Sequence, residues 1–464
     1  MPNDSTLTPG VNTRPTTAGK SETARWFYPL ILRLHFYIGL LVGPFILVAA
    51  LSGGLYAISP QFEDMLYASA LNGEADGDPQ SLAAQIGAAR SVVPDLTLAA
   101  VRPAPEPGKT SRIMFSDPSL DIYEHRAIFV DPITLEIKGN LAVYGTGALP
   151  LRIWIDYLHR NLHLGEFGRH YSELAASWLW IAALGGLTLW IMGRRKRNQA
   201  PALRATDAIP SGQRRKRHAA LGLTLLLGFL FLSVTGLTWS KWAGGNIADL
   251  RAALDWGTPS VNAQLDTPTP AVSDQAQQAA VFDGVLAVAR NAGIDAGLLE
   301  IQPSNDPQRA WKVREIDRTW PTQVDSVAVD PSTFGIVDQA NFVDFPIAAK
   351  LTRWGIDLHM GTLFGVANQL LMLGLALGLC TMIVWGYRMW WTRRPLPRAS
   401  SATKATRLTT HWLRAPISAR LLIVIVTAFL GWALPVMGVS LAAFLILDVL
   451  LMLYYARQTA RVSA

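Results

Sequence analysis

Four apolar stretches in this chain are too long for ordinary soluble helices, and they fix what it can fold into. They fall at about 30–58, 172–193, 219–242 and 363–392. A membrane-crossing helix needs about 20 largely apolar residues. A closing stretch at 419–456 is long enough for two helices with a turn near Pro435 and Gly438. The pattern predicts six spans with both termini inside, five being the alternative. The first run begins near residue 27, too long for a signal-peptide core, and is expected to be a retained span. Composition agrees, since 16% of the 464 residues are charged against about a quarter in soluble domains.

Charge position sets the topology. The net charge is +7, but the basic residues cluster beside apolar runs. The loop 194–218 has nine Lys/Arg and one acid, Asp207, and the segment 393–420 has seven and none. Such segments stay on the cytoplasmic side, which argues against nucleic acid as a partner and for the lipid bilayer. The segments 60–150 and 243–350 are acidic, with twelve acids against six bases and fourteen against seven. They are expected outside, in the periplasm of a bacterium whose inner membrane the chain crosses. The lone cysteine, Cys380, excludes an internal disulfide and any cysteine-held zinc or iron–sulfur centre within one chain.

The predicted order is a cytoplasmic tail (1–29), a first span (30–58), an outer domain (59–150), and a second span with its outer leading segment (151–193). A basic cytoplasmic loop (194–218), a third span (219–242) and a second outer domain (243–350) follow. A fourth span with its leading segment (351–393), a basic loop (394–418) and a transmembrane hairpin (419–456) complete it. The fold class is thus an α-helical polytopic membrane protein with two small α+β outer domains. Residues 81–93 and 274–293 have helical periodicity, the second ending at Gly293, and alternating segments such as TLAAVRP and RIMF read as strands.

The chain is internally duplicated. IFVDPITLEI (128–137) matches VAVDPSTFGI (327–336), each a strand, a turn at Asp-Pro and a second strand. LHRNLHLG (158–165) matches LHMGTLFG (358–365), so His159 and His359 correspond, and His163 has no counterpart. HFYIG (35–39) matches HAALG (218–222), each a His with Gly four later. Gly53 and Gly236 follow their histidines at the same distance, in LSGG and VTGL.

Each repeat therefore keeps a histidine at the cytoplasmic end of one helix and another at the outer end of the next. Ionisable groups near the apolar slab are costly and have partners. Neutral imidazole is an axial ligand for haem iron, and Gly39 and Gly222 leave room for a porphyrin edge. His35 with His218, and His159 with His359, would hold two haems in series, an electron wire. A single histidine at a helix end is more commonly a cap or an interfacial residue, and glycine pairs such as Gly53–Gly54 and Gly185–Gly186 also serve close helix packing. Repetition at matching ends is what favours ligation. His163 either lines the outer site or replaces His159 there. No role is assigned to His125, His170 or His411. No HExxH motif points to zinc, and Asp448 is the one carboxylate deep in a span.

These outer segments ending in VDPxT, the HxxxG helix starts and the LH-x5-G segments resemble the PepSY-associated transmembrane proteins over about residues 25–395. The resemblance implies PepSY-like outer domains and similarity to ferric-siderophore reductases carrying haem b. By position it assigns His35, His218, His159 and His359 as axial ligands of two haem b groups. The implied activity takes electrons from the quinol pool or a docked cytoplasmic reductase, since the short cytoplasmic loops leave no room for a nucleotide domain. A periplasmic ferric siderophore is reduced and Fe(II) released for uptake. The rival is a membrane-anchored PepSY module that binds or regulates a periplasmic peptidase or cell-wall partner. A third reading is an iron-chelate permease.

Overall fold

The computed structural model describes residues 19–199, 210–268, 275–392 and 411–463. Most of the expected N-terminal tail and parts of both basic loops lie outside the described residues. Helix α1 (Gly19–Tyr37) runs through a π-turn (Ile38–Val42) into α2 (Gly43–Leu66). After α3 (Ala68–Leu71) come α4 (Leu82–Val92) and strands β1 (Thr97–Arg102), β2 (Ser111–Ser116), β3 (Glu124–Val130) and β4 (Ile137–Tyr144). Then follow α5 (Pro150–Asn161), α6 (Gly165–Gln199), α7 (Pro210–Thr224), α8 (Leu226–Thr238) and α9 (Trp242–Ala253). The order recurs with α10 (Gln275–Asn291), β5 (Leu299–Gln302), β6 (Trp311–Glu315), β7 (Ser326–Val329), β8 (Ile336–Ala340), α11 (Ile347–His359) and α12 (Val366–Trp391). Helices α13 (Ile417–Ala433) and α14 (Pro435–Ser463) close the chain.

Three helices are long and apolar enough to cross a membrane, at Trp26–Leu66, Gly165–Arg195 and Val366–Trp391. A fourth candidate is the pair Gly212–Thr224 and Leu226–Thr238, bent by 59°. The closing hairpin supplies two shorter apolar helices, Ile417–Ala433 and Pro435–Leu451. The described chain thus has three or four candidate spans.

The chain divides into two compact units. One comprises Gly43–Trp180 and Leu225–Val384. Its centre is an eight-stranded antiparallel sheet in the order β4-β3-β2-β1-β5-β6-β7-β8. Alternation gives the sheet two apolar faces. Val101, Ile113, Phe115, Ile128 and Val130 point to one, with Ile301, Val313 and Val327 from the second half. Helices α4 and α10 cover that face with Leu82, Ile86, Ala89, Phe282, Val285 and Ala289, which recur at helical spacing. Full burial of such a side chain contributes about 1.5–3 kcal/mol, so this shared core dominates the stability of the region. The opposite face buries Ala100, Met114, Ala127, Phe129 and Val143 with Ala70 and Leu149. Ser81 starts α4 by accepting a hydrogen bond from the Ala84 N–H at 3.2 Å.

The halves join edge to edge, where Val101 of β1 pairs with Ile301 of β5. Beside that joint, Arg102 Nε donates to Glu300 Oε2 at 2.7 Å, and Arg314 binds the other carboxylate oxygen at 2.6 Å. Burial alone would raise the Glu300 pKa, but the Arg102 and Arg314 guanidiniums outweigh it and hold the carboxyl below its ordinary value. Each VDP segment forms the expected turn between paired strands. Asp131 Oδ1 accepts from the N–H groups of Ile133 and Thr134, and Asp330 Oδ1 from that of Ser332. Leu135 and Phe334 then take left-handed backbone, φ 62° and 57°.

The other unit comprises Met1–Val42, Ile181–Thr224 and Trp385–Ala464. Among its described residues, Trp26, Leu30 and Ala415 form a small apolar cluster. Tyr387 Oη donates to the Leu40 carbonyl at 2.7 Å, and Tyr37 Oη to Asp448 Oδ1 at 3.1 Å. Helices α13 and α14 meet at Gly431 and Gly438, where a Cβ on Gly438 would stand 2.8 Å from the Gly431 Cα.

Candidate functional site

Each unit contains one pair of facing imidazoles, and the four residues are the ones the duplication singles out. His35 lies in the last turn of α1 and faces His218 of α7, with ring centroids 6.4 Å apart and planes at 84°. His159 in the last turn of α5 faces His359, the last residue of α11, at 6.5 Å and 58°. All four are half-buried. A first-row metal bound to two opposed imidazole nitrogens at about 2 Å each, with about 1 Å more from nitrogen to ring centre, needs centroids roughly 6 Å apart. Both centroid separations are of that size. Among the described residues no group of three or more His, Cys, Asp or Glu converges as a closed metal site would.

Small residues set the ring positions. A Cβ on Gly53 would lie 3.0 Å from His159 Cε1, so α2 approaches the ring only because residue 53 has no side chain. At His35 the contact is looser: a Cβ on Gly185 or Gly186 of α6 would lie 3.7 Å from Nδ1 or 3.4 Å from Cε1, ordinary van der Waals distances. A Cβ on Gly39 would meet nothing within 4 Å, so open space stands one turn beyond His35. Gly165 and Gly365, six places after His159 and His359, have φ of +56° and +55°, a conformation that favours glycine. That explains the LH-x5-G spacing as a turn requirement between two helices.

The hydrogen-bond partners of the rings were not legible as such in the sequence. His35 Nδ1 lies 3.0 Å from the Ala182 carbonyl, which only accepts, so Nδ1 carries the proton. His159 Nδ1 lies 3.1 Å from Ser52 Oγ, and His359 Nδ1 lies 2.6 Å from Thr235 Oγ1. Ser52 and Thr235 differ by 235 − 52 = 183 positions, the offset that relates Gly53 to Gly236. The signal in the sequence is the pair Ser-Gly and Thr-Gly at equivalent positions of the repeat. Phe231 and Trp239 wall the His359 ring at centroid distances of 6.4 and 5.9 Å.

His163 is placed apart from both pairs. It is exposed, at φ 55° in the turn after α5, with its ring 5.0 Å from that of Trp154 and 6.0 Å from that of Tyr157. It lines an open apolar cleft with Glu124, Ala142, Pro150, Ile153, Trp154 and Tyr157. His170 accepts from the Trp242 indole N–H at 3.2 Å, His125 lies in β3, and His411 is buried near the start of the closing hairpin.

A chain with three or four apolar helices and a separate antiparallel sheet, its histidines paired between helices, is a membrane protein. It belongs to the family described as the PepSY-associated TM region, whose model matches residues 32–393. No curated protein matches the chain.

Proposed function

We propose that the protein is a haem-b-containing inner-membrane reductase. It takes electrons from the quinol pool or a cytoplasmic reductase and delivers them to a periplasmic ferric siderophore, releasing Fe(II) for uptake. The observation that carries this reading is the pair of imidazole gaps, 6.4 and 6.5 Å between centroids, at the four positions the duplication preserves. His35 with His218, and His159 with His359, would each hold one haem in this scheme. Haem b, when bound, supplies a reversible one-electron carrier whose potential the protein tunes. The chain's own part is to fix each ring, to exclude water with residues such as Phe231 and Trp239, and to leave space beside Gly39. Ferric iron in a hard oxygen shell accepts one electron and then suits that shell less well. A quinol, as donor, releases two electrons and two protons, enough for two ferric centres.

In the same scheme the chain crosses the membrane six times with both termini cytoplasmic, and the strands form two PepSY-like domains in the periplasm. The acidic balance of segments 60–150 and 243–350 and the basic loops between spans support that orientation.

The test is a dithionite-reduced minus oxidised spectrum of the full chain in detergent, with a pyridine-haemochrome count. Sharp b-type bands and two haems per chain are expected. Absence of haem from protein made with ample haem supply overturns the reading and promotes the rival, a membrane-anchored module acting on a peptidase or cell-wall partner.

A further inference from the structure

The two outer histidines share a feature that haem ligation alone does not require. In each repeat the Nδ1 of the ring sits against a hydroxyl from the neighbouring helix, Ser52 of α2 in one and Thr235 of α8 in the other. Each hydroxyl has a single hydrogen, and in each case a helix carbonyl already takes it. Ser52 Oγ donates to the Val48 carbonyl at 2.7 Å, and Thr235 Oγ1 to the Phe231 carbonyl at 2.7 Å. Both carbonyls belong to the residue four places earlier, a standard acceptor for a helical Ser or Thr. With its hydrogen committed, each hydroxyl oxygen is left to accept, and the imidazole must donate.

We infer that Ser52 and Thr235 are positioning residues: they accept the Nδ1–H of His159 and His359, fix the tautomer of both rings, and leave Nε2 of each as the lone-pair nitrogen offered to the haem iron. This rests on the proposed function and deepens it at one of its two sites. A second-shell acceptor on the distal N–H orients a ligand imidazole and raises its basicity. A more basic axial ligand favours the ferric over the ferrous form, because the extra positive charge gains most from electron donation. The two sites are built differently in this respect, since His35 uses the Ala182 carbonyl. Hydroxyl substitutions at 52 and 235 are therefore expected to move one haem and spare the other.

The experiment uses the full chain in detergent, with haem content, potentiometric titration and low-spin ferric EPR as readouts. Ser52→Ala and Thr235→Val remove the acceptors, Thr235→Val with almost no change of shape. Ser52→Thr and Thr235→Ser keep them. The wild type should titrate as two components. Each hydroxyl-less variant should bind its outer haem about 10- to 100-fold more weakly. The potential of that component should move upward, by about 59 mV for each tenfold by which ferric affinity falls more than ferrous. The hydroxyl-retaining variants should match the wild type. Full loading with both components unmoved in Ser52→Ala and Thr235→Val overturns the inference while leaving the reductase reading intact. Equal shifts in the hydroxyl-retaining variants overturn it too, because packing alone would then account for them. A wild type that binds no haem overturns the reading beneath and the inference with it.

Discussion

The two halves of the duplicated frame solve one problem identically and another differently. Both halves set a hydroxyl against the Nδ1 of one histidine, His159 or His359, and both use a left-handed glycine six places on. Around those fixed points the supports have drifted. In the first half the Tyr171 hydroxyl donates to the His159 carbonyl at 2.7 Å, and Ser172 Oγ to that of Arg160 at 2.8 Å. In the second half Asn368 Nδ2 reaches the Leu358 carbonyl at 3.0 Å, and buried Asp357 takes Arg353 Nε at 2.9 Å. Any group that satisfies a carbonyl serves as a support, so supports are interchangeable. A ring nitrogen facing a gap of fixed width is not.

The largest effect should come from breaking a kept position and comparing it with the unpaired one. His159→Ala and His359→Ala should each strip about one of the two expected haems from the chain, read as a pyridine-haemochrome count. His163→Ala should retain both, because its ring packs against Trp154 and Tyr157 and not against the pair. Equal haem loss in all three variants would make the sequence repeat a poor guide to the ligands.

Next in size is the joint between the halves. Glu300 is 1% exposed and holds Arg102 from one half and Arg314 from the other. Glu300→Ala would leave the buried Arg102 guanidinium without its carboxylate. Breaking a buried pair from one side costs about 3–5 kcal/mol, so a clear fall in urea midpoint is expected. Glu300→Gln keeps hydrogen-bond acceptors and should cost less. A joint held by the β1–β5 backbone pairing alone would show neither loss.

Local elements were legible where sequence period and turn chemistry are local. Residues 81–93 and 274–293 carry helical periodicity and contain α4 and α10, and the VDP segments fold as turns between paired strands. The meeting of both halves in one sheet was not legible, because the β1–β5 edge is set by Arg102 and Glu300, 198 positions apart, with no shared motif. The candidate site divides in the same way. Four histidines stood out because the chain repeats them, whereas Ser52 and Thr235 look like ordinary small residues of apolar helices. Only their place against a ring on another helix gives them meaning. Residues 219–242, expected as one span, fall on the bent pair α7 and α8 that forms the fourth candidate span, and periodicity, which reports apolarity, did not mark the bend near Leu225.

The smallest expected difference compares the two Asp-Pro turns. Asp131 is fully buried and accepts three backbone N–H groups, from Glu74 at 2.8 Å, Ile133 at 2.9 Å and Thr134 at 3.1 Å. Asp330 is half-buried and accepts the Ser332 N–H and the hydroxyls of Ser332 and Thr333, each at 2.8 Å. Hydroxyls can turn to water when an acceptor is lost, and fixed backbone donors cannot. Asp131→Ala should therefore cost about 2–3 kcal/mol and Asp330→Ala about 1 kcal/mol. The pH dependence has one sign at both turns. Burial alone would raise each carboxyl, but the backbone donors at Asp131, and the Ser332 and Thr333 donors at Asp330, hold both below the ordinary 3.8. A depressed carboxyl stabilises the fold above its unfolded value, and that contribution is lost as pH falls through the folded one. Acid unfolding of the wild type should thus steepen below about pH 4, and Asp131→Ala should flatten that limb more than Asp330→Ala. Equal flattening would mean that the two turns, for all their difference in donors, contribute alike.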